Sequence, residues 1–412
     1  MPALLLLAAS LVASGLASAV LPRIDSANTG TASLKQVRNP HFFPHGPSAL
    51  AKVYHKYGVP LSDDLRLAVA GGIPHKRVTG SGVASPQQYD VEYLTPISVG
   101  TPPLVLNLNL DTGSSDLWVF SSELPPSEIN GQTVYDPTKS TSAKKLEGAT
   151  WEIEYGDGSS SEGDVYIDSV AIGDLTVTAQ AVQAAKNVSA EFTADTHDDG
   201  LLGLAFNTIN TVQPTRQKTF YDNAQSILDA PVFTADLKDD APGHYNFGYI
   251  DSSAYTGNIS YLPVDSSQGF WMFTSPGYAI SKGGYKITEM KGIADTGTTL
   301  LLLPTSVVLA YYKQVDGARY EGTQGGYIFA CSATLPDFVF AVGNNARITV
   351  PGKYINYAPT DSSGTTCFGG IQKDIGIGFS IFGDVALKAA FVVFDGPNQQ
   401  LGWAAKPLYN YD

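Results

Sequence analysis

The sequence predicts an all-β protein built from two related halves. Forty-one Gly and 22 Tyr against 16% charged residues describe a chain rich in turns and strands. Apolar and polar residues alternate along Val105 to Leu110 and again along Thr150 to Tyr155, the period of a half-buried strand. The segment Leu108-Asn109-Leu110-Asp111-Thr112-Gly113-Ser114-Ser115 is echoed by Gly292-Ile293-Ala294-Asp295-Thr296-Gly297-Thr298-Thr299. At 412 residues and 43% hydrophobic, the chain is too long for one ordinary domain and ample for a large core.

Four blocks follow one another. Leu4 to Val20 is apolar and ends in the small residues Ala17-Ser18-Ala19, so residues 1–19 are expected to be a signal peptide; a membrane anchor is the rival reading, but the run is short and broken by Ser and Gly. No Lys or Arg precedes Arg23. Residues 20–80 form an expected pro-segment, ending near Lys76-Arg77 and the flexible Thr79-Gly80-Ser81-Gly82. The first residue of the trimmed chain follows either from dibasic cleavage or from self-processing a few residues later. The halves are 81–265, holding Asp111, and 266–412, holding Asp295. Helical signals are short, at Tyr221 to Leu228 and Thr305 to Val315.

Charge separates the blocks. Residues 1–79 carry eight basic and three acidic side chains, +5, and the remainder 17 basic and 36 acidic, −19. A basic head on an acidic body predicts an electrostatically docked segment; a disordered basic tail is the plainer alternative. An acidic body argues against nucleic acid as partner. The tail Lys406 to Asp412 has no lipid-anchor signal, and no second apolar run reaches membrane length. Cys331 and Cys367 are expected to form one disulfide in the C-terminal half. With only His197 and His244 beyond residue 80, a Cys/His dyad or a His-rich metal site is disfavoured. Asn187-Val188-Ser189 and Asn258-Ile259-Ser260 are candidate glycosylation sites.

A second echo follows the first. Gly200-Leu201-Leu202-Gly203-Leu204 places its second Gly 92 residues after Asp111, and Ser380-Ile381-Phe382-Gly383-Asp384 places its Gly 88 residues after Asp295. Matched offsets predict a duplicated topology in which a return strand runs beneath each Asp loop, with Gly allowing close backbone approach. Two carboxylates brought together this way are acid–base machinery. One, ionised, takes a proton from water; the other, protonated, donates to a carbonyl oxygen. Neighbouring carboxylates resist double ionisation and titrate as a coupled pair.

Asp111-Thr112-Gly113-Ser114, Tyr155-Gly156-Asp157-Gly158-Ser159, Asp199-Gly200-Leu201-Leu202-Gly203-Leu204, Ser267-Gln268-Gly269-Phe270-Trp271, Asp295-Thr296-Gly297-Thr298-Thr299 and Phe379-Ser380-Ile381-Phe382-Gly383-Asp384 occur in that order. This set closely resembles the pepsin-like aspartic proteases, and within them the secreted fungal branch that includes penicillopepsin and aspergillopepsin. The likeness spans about 85–412. It implies a bilobal all-β fold, two pseudo-symmetric β-barrel-like lobes joined by a six-stranded sheet, and a deep substrate cleft holding Asp111 and Asp295 as the catalytic pair.

The resemblance also implies roles. Thr112 and Thr296 would cross-link the two loops, Ser114 and Thr298 would bond the outer carboxylate oxygens, and Gly113 and Gly297 would let backbone N–H groups approach. Tyr155, Gly156 and Asp157 would form a flap over substrate, with Trp118 bonding the flap tyrosine. Phe192 and Leu201 would wall the same apolar pocket, and Thr299 would contact substrate. Trp118 also reads simply as core, and Asp157 as a turn residue or as a partner for a substrate Lys. His55-Lys56-Tyr57-Gly58 resembles the inhibitory Lys-Tyr pair of family zymogens, with Lys56 between the carboxylates. The implied enzyme is a secreted, extracellular monomer active in acid and using only a catalytic water. It would have no cofactor and no metal. Its partners would be protein and peptide substrates, pepstatin-type inhibitors and its own pro-segment. The alternatives are a catalytically silent binding protein on the same fold and, from paired carboxylates alone, a glycosidase.

Overall fold

The structure, a computed structural model, describes residues 30–39, 42, 44–70, 93–154, 160–189, 192–193, 196–281, 283–361 and 363–408. Four sheets dominate. An eight-stranded sheet belongs chiefly to the first half, and seven- and four-stranded sheets belong to the second. A six-stranded sheet joins the halves. Its strands run Ala32–Lys35, Ala241–Phe247, Val232–Lys238, Ala390–Asp395, Gln400–Ala405 and Thr256–Pro263. Phe233 and Phe394 stack at 4.4 Å across it, and Trp271 meets Phe394 edge-on at 5.2 Å. One apolar core therefore runs through both halves.

The repeated motif is a repeated topology. Strand Leu104–Asp111 lies parallel to Gly200–Gly203, with Asp111 opposite Gly203; strand Lys286–Ala294 lies parallel to Ser380–Phe382, with Ala294 opposite Phe382. In each half the strand beyond the Asp loop, Leu117–Val119 or Leu301–Leu303, pairs antiparallel with that same return strand. A Cβ on Gly203 would stand 2.6 Å from Asp116 N, and one on Gly383 would stand 2.3 Å from Thr298 O, so the loops rest directly on glycine backbone.

The described residues between 30 and 70 are not a loosely held charged arm. Ala32–Lys35 completes the joining sheet at its edge, in register from Ala32 opposite Phe247 to Lys35 opposite His244. The expected six-stranded sheet is present, with one strand supplied by residues 32–35. Helices α1, Gly46–Lys56, and α2, Asp63–Ala70, then lie on the second half. Leu50, Ala51, Val53, Leu61 and Leu65 pack into a cluster with Ile293, Leu300, Leu302, Phe368 and Ile381. Each large side chain buried there contributes on the order of 1.5–3 kcal/mol. Apolar packing and strand pairing thus carry much of the docking that charge alone predicted. Gly58, at φ +68°, ends α1 in the left-handed region and turns the chain away just after Lys56 and Tyr57.

The other expected helices are Phe220–Ala224 and Thr305–Tyr312, shorter than their sequence patterns, though single turns continue to Leu228 and Val315. Cys331 and Cys367 are bonded, as expected, closing a loop of 36 residues. Among the described residues no helix is long and apolar enough to cross a membrane.

Candidate active site

Asp111 ends strand Leu104–Asp111, and Asp295 directly follows strand Lys286–Ala294; both are buried. Their loops are locked to each other. The Thr112 N–H donates to Thr296 Oγ1 at 3.1 Å and the Thr296 N–H to Thr112 Oγ1 at 3.0 Å. Each hydroxyl donates onward to the opposite strand, Thr112 to Ala294 O at 2.8 Å and Thr296 to Leu110 O at 2.6 Å.

The carboxylates are held in matching ways. Asp111 Oδ1 accepts the Gly113 N–H at 2.8 Å and its Oδ2 the Ser114 hydroxyl at 2.6 Å. Asp295 Oδ1 accepts the Gly297 N–H at 3.0 Å and its Oδ2 the Thr298 hydroxyl at 2.5 Å. The glycines also make room across the axis. A Cβ on Gly113 would lie 2.6 Å from Asp295 Oδ1, and one on Gly297 would lie 2.3 Å from Asp111 Oδ1.

Lys56 sits between the two acids. Its Nζ is 2.7 Å from Asp111 Oδ1, 2.9 Å from Asp295 Oδ1 and 3.0 Å from Asp295 Oδ2. The Tyr57 hydroxyl donates to Asp295 Oδ2 at 2.6 Å, and its ring meets Phe270 and Phe379 edge-on at 5.8 and 5.5 Å. Burial disfavours the Lys56 ammonium, but the facing carboxylates outweigh it and hold its pKa above the ordinary value. Burial pushes Asp111 up, against the pull of Lys56 and with the like charge of Asp295 adding to it, so Asp111 titrates above the usual carboxylate range. Burial raises Asp295 too, yet Lys56, Thr298 and Tyr57 bring it below that range. The two acids titrate as one coupled system.

The remaining sequence candidates fall around this centre. Trp118 is buried, lies opposite Leu201 in the strand register, and meets Phe192 edge-on at 5.0 Å, so all three share one apolar cluster. The Trp118 indole N–H has no hydrogen-bond partner among the described residues. Tyr155, Gly156 and Asp157 lie outside the described residues; the flanking strands pair as far as Glu154 opposite Ser160. Thr299 is half-buried, and its carbonyl accepts the Val385 N–H. Asn187 and Asn258 are exposed, far along the chain from either loop. Among the described residues no group of three or more His, Cys, Asp or Glu converges as metal ligands would.

Sequence reasoning missed a buried node behind Asp111. Asn210 Nδ2 donates to Ser115 O at 3.1 Å and to Asp116 Oδ1 at 3.0 Å, and the same oxygen accepts from Thr211 N at 3.0 Å and Thr211 Oγ1 at 2.9 Å. Two residues on, Gln213 exchanges backbone hydrogen bonds with Thr150 on the strand leading toward residue 155. The Asp111 loop and the root of the expected flap are therefore tied to one loop. No motif marks Asn210; only its place in the fold does.

Comparison with known proteins settles the lineage. A model of the eukaryotic aspartyl protease family matches residues 92–406. The chain belongs to that family. This aspartyl protease is 58% identical over 381 residues to endothiapepsin of Cryphonectria parasitica, covering 92% of this chain and 91% of that one. It is 50% identical over 401 residues to podosporapepsin of Podospora anserina, covering 94% of each chain. With penicillopepsin-3 of Penicillium janthinellum it shares 51% identity over 387 residues, 94% of this chain and 95% of the other. The expected likeness to fungal pepsin-like enzymes is borne out, as is the all-β bilobal class. The aspartyl protease is a peptide hydrolase.

Proposed function

We propose that this aspartyl protease is a secreted, extracellular endopeptidase of acidic media, made as a zymogen that its own residues 20–80 hold silent. The observation that carries the reading is Lys56 with its ammonium within 3.0 Å of both carboxylates while Tyr57 bonds Asp295. A cation there occupies the position that a bridging water needs, and α1 presents it from its C-terminal end.

Once the segment leaves, Asp111 and Asp295 are the catalytic pair. The pair shares one proton. Its ionised member takes a proton from the bridging water while the other donates to the scissile carbonyl oxygen; the tetrahedral adduct collapses as the leaving nitrogen is protonated. Water is the only co-reactant, so the chemistry asks for neither metal nor organic cofactor. Thr112, Gly113, Ser114, Thr296, Gly297 and Thr298 hold the two carboxylates in register. Trp118, Phe192 and Leu201, with Tyr155 and Gly156, form an apolar pocket for large side chains, and Asp157 receives a Lys before the cleaved bond. Thr299 lies on the substrate's path. The enzyme works as a monomer on protein and peptide substrates, is blocked by pepstatin-type inhibitors, and binds neither nucleic acid nor membrane.

A silent binding protein on the same fold is the competing reading, and both Asp, both Gly and Tyr155 being in place speaks against it. The test uses the purified full chain. It should digest casein only after acidification, and pepstatin should stop it. Lys56→Ala should leak activity at neutral pH. A full chain that stays inert after acid treatment, or an Asp295→Ala protein that still cuts, overturns the proposal.

A further inference from the structure

We infer that Asn258 carries an N-linked oligosaccharide whose role is to shield the free edge of the sheet joining the two halves. The inference rests on the secretory route proposed above. Strand Thr256–Pro263 is the last strand of that sheet and, among the described residues, pairs on one side only, with Gln400–Ala405. A free edge offers unpaired backbone groups to any passing strand, and soluble proteins blunt such edges with charge, proline or bulges. Here the stretch Ser252 to Pro263 holds no Asp, Glu, Lys or Arg, and Tyr261 is 41% exposed on it. The sequence leaves this edge without the usual charged guard.

The sequon sits on this uncharged edge, at the bulge that already interrupts it. Thr256 faces Ala405 and Ser260 faces Trp403, so the strand carries two extra residues between those pairs and bulges outward. Gly257 adopts φ +72° with nothing within 4 Å of where a Cβ would be. Asn258 is exposed at the crest of the bulge, while Ile259 turns inward against the cluster of Val232, Phe391, Val393 and Ala404. A bulky polar group at Asn258 therefore meets open solvent and covers the edge. The other sequon differs: Asn187 lies opposite Glu162 and next to Lys186, which pairs with Asp164 at 3.2 Å, so its strand is already charged.

The order of events also follows. In the folded protein the Ser260 hydroxyl donates to Val342 O at 2.9 Å. A transferase that must engage this hydroxyl reaches it before the strand docks, so transfer precedes folding. The donor is an oligosaccharide joined to a lipid diphosphate. The Asn258 amide nitrogen bonds to the sugar's anomeric carbon, the bond from that carbon to the diphosphate oxygen breaks, the lipid diphosphate leaves with the electron pair, and the amide proton passes to a base of the transferase.

The experiment expresses the full chain in a filamentous fungus and recovers enzyme from the medium. Peptide N-glycosidase in heavy-oxygen water should convert Asn258 to a labelled Asp, and Asn258→Gln should carry no label there. The Gln variant, and wild type stripped of its glycan after folding, should scatter light several-fold sooner on concentration, with peptidase activity per monomer unchanged. Asn258→Lys, which places a charge on the edge, should restore the delay. Secreted protein with Asn258 unmodified overturns the inference. A glycan whose loss leaves aggregation unchanged overturns the shielding role. A chain retained in the cytosol with residues 1–19 attached overturns the secretory reading and the glycan together.

Discussion

Thr112 and Thr296 are bonded to each other twice, each hydroxyl accepting the other's backbone N–H at 3.0–3.1 Å, and all four groups are buried. Replacing Thr112 by Val keeps the shape but strands the Thr296 N–H and the Ala294 carbonyl. Each buried group left unpaired costs about 1–3 kcal/mol. Thr112→Val should lower the urea midpoint by several tenths of a molar or more at an unchanged slope, and Thr112→Ser should recover most of the loss.

Gly113→Ala tests how tightly the pair is packed. A methyl group 2.6 Å from Asp295 Oδ1 displaces that carboxylate or the loop by a substantial fraction of an ångström. Misplacement of about 1 Å in reacting groups costs on the order of a hundredfold in rate. Steady-state kinetics on an acid-activated sample should give a fall in kcat of that order with KM changed much less.

Acid release follows from the charges around Lys56. Asp295 titrates below its ordinary value in the docked form, so its contribution to docking is present above that value and lost as pH falls through the lowered one. Lys56 titrates above its ordinary value, so its share persists through neutral and acid pH and is lost only in alkali. At Asp111 burial raises the pKa while the docked Lys56 ammonium pulls it down, so docking favours the ionised pair there too and weakens as the coupled acids take up a proton. Between neutrality and acid, docking therefore weakens as pH falls. Native mass spectrometry of a clipped but associated sample should find the segment bound near neutrality and free in acid; Lys56→Met should release it already at neutral pH.

Asp157→Asn should abolish cleavage after Lys while leaving cleavage between large apolar residues within about twofold, since only the charged substrate loses an ion-pair partner. Competition between a Lys peptide and a Phe peptide in one reaction reads this directly. Equal losses on both refute the pairing.

The bond between Cys331 and Cys367 closes a loop of 36 residues in the second half. Loops of that length gain about 3–4 kcal/mol from closure in the chain-entropy account. The double Cys→Ala variant should unfold at lower denaturant concentration by that amount and keep its kcat.

The centre was legible because it is written twice. Asp111 with Gly203 and Asp295 with Gly383 are short local patterns at matched offsets, and each half checks the other. Roles that depend on long-range pairing were not legible. Nothing in Asn210 announces that it will meet Asp116, 94 residues earlier in the chain, and nothing in Ala32–Lys35 announces a partner at 244–247. Lys56 and Tyr57 stood out through resemblance, but the slot of Phe270 and Phe379 around the tyrosine ring depends on tertiary packing. Charge counting, which sums over residues without placing them, predicted attachment of the basic head and missed the apolar helix faces that hold it.

In the zymogen proposed above, the strand Ala32–Lys35 gives maturation a direction. Trimming at the proposed site would remove one edge strand of the sheet that joins the halves, so the shortened enzyme would lack a part that the full chain folds with. Its persistence in harsh surroundings is then a matter of how slowly it comes apart, not of how readily it re-forms. A lifetime set by a barrier suits a catalyst released from the cell that made it and never returned for repair.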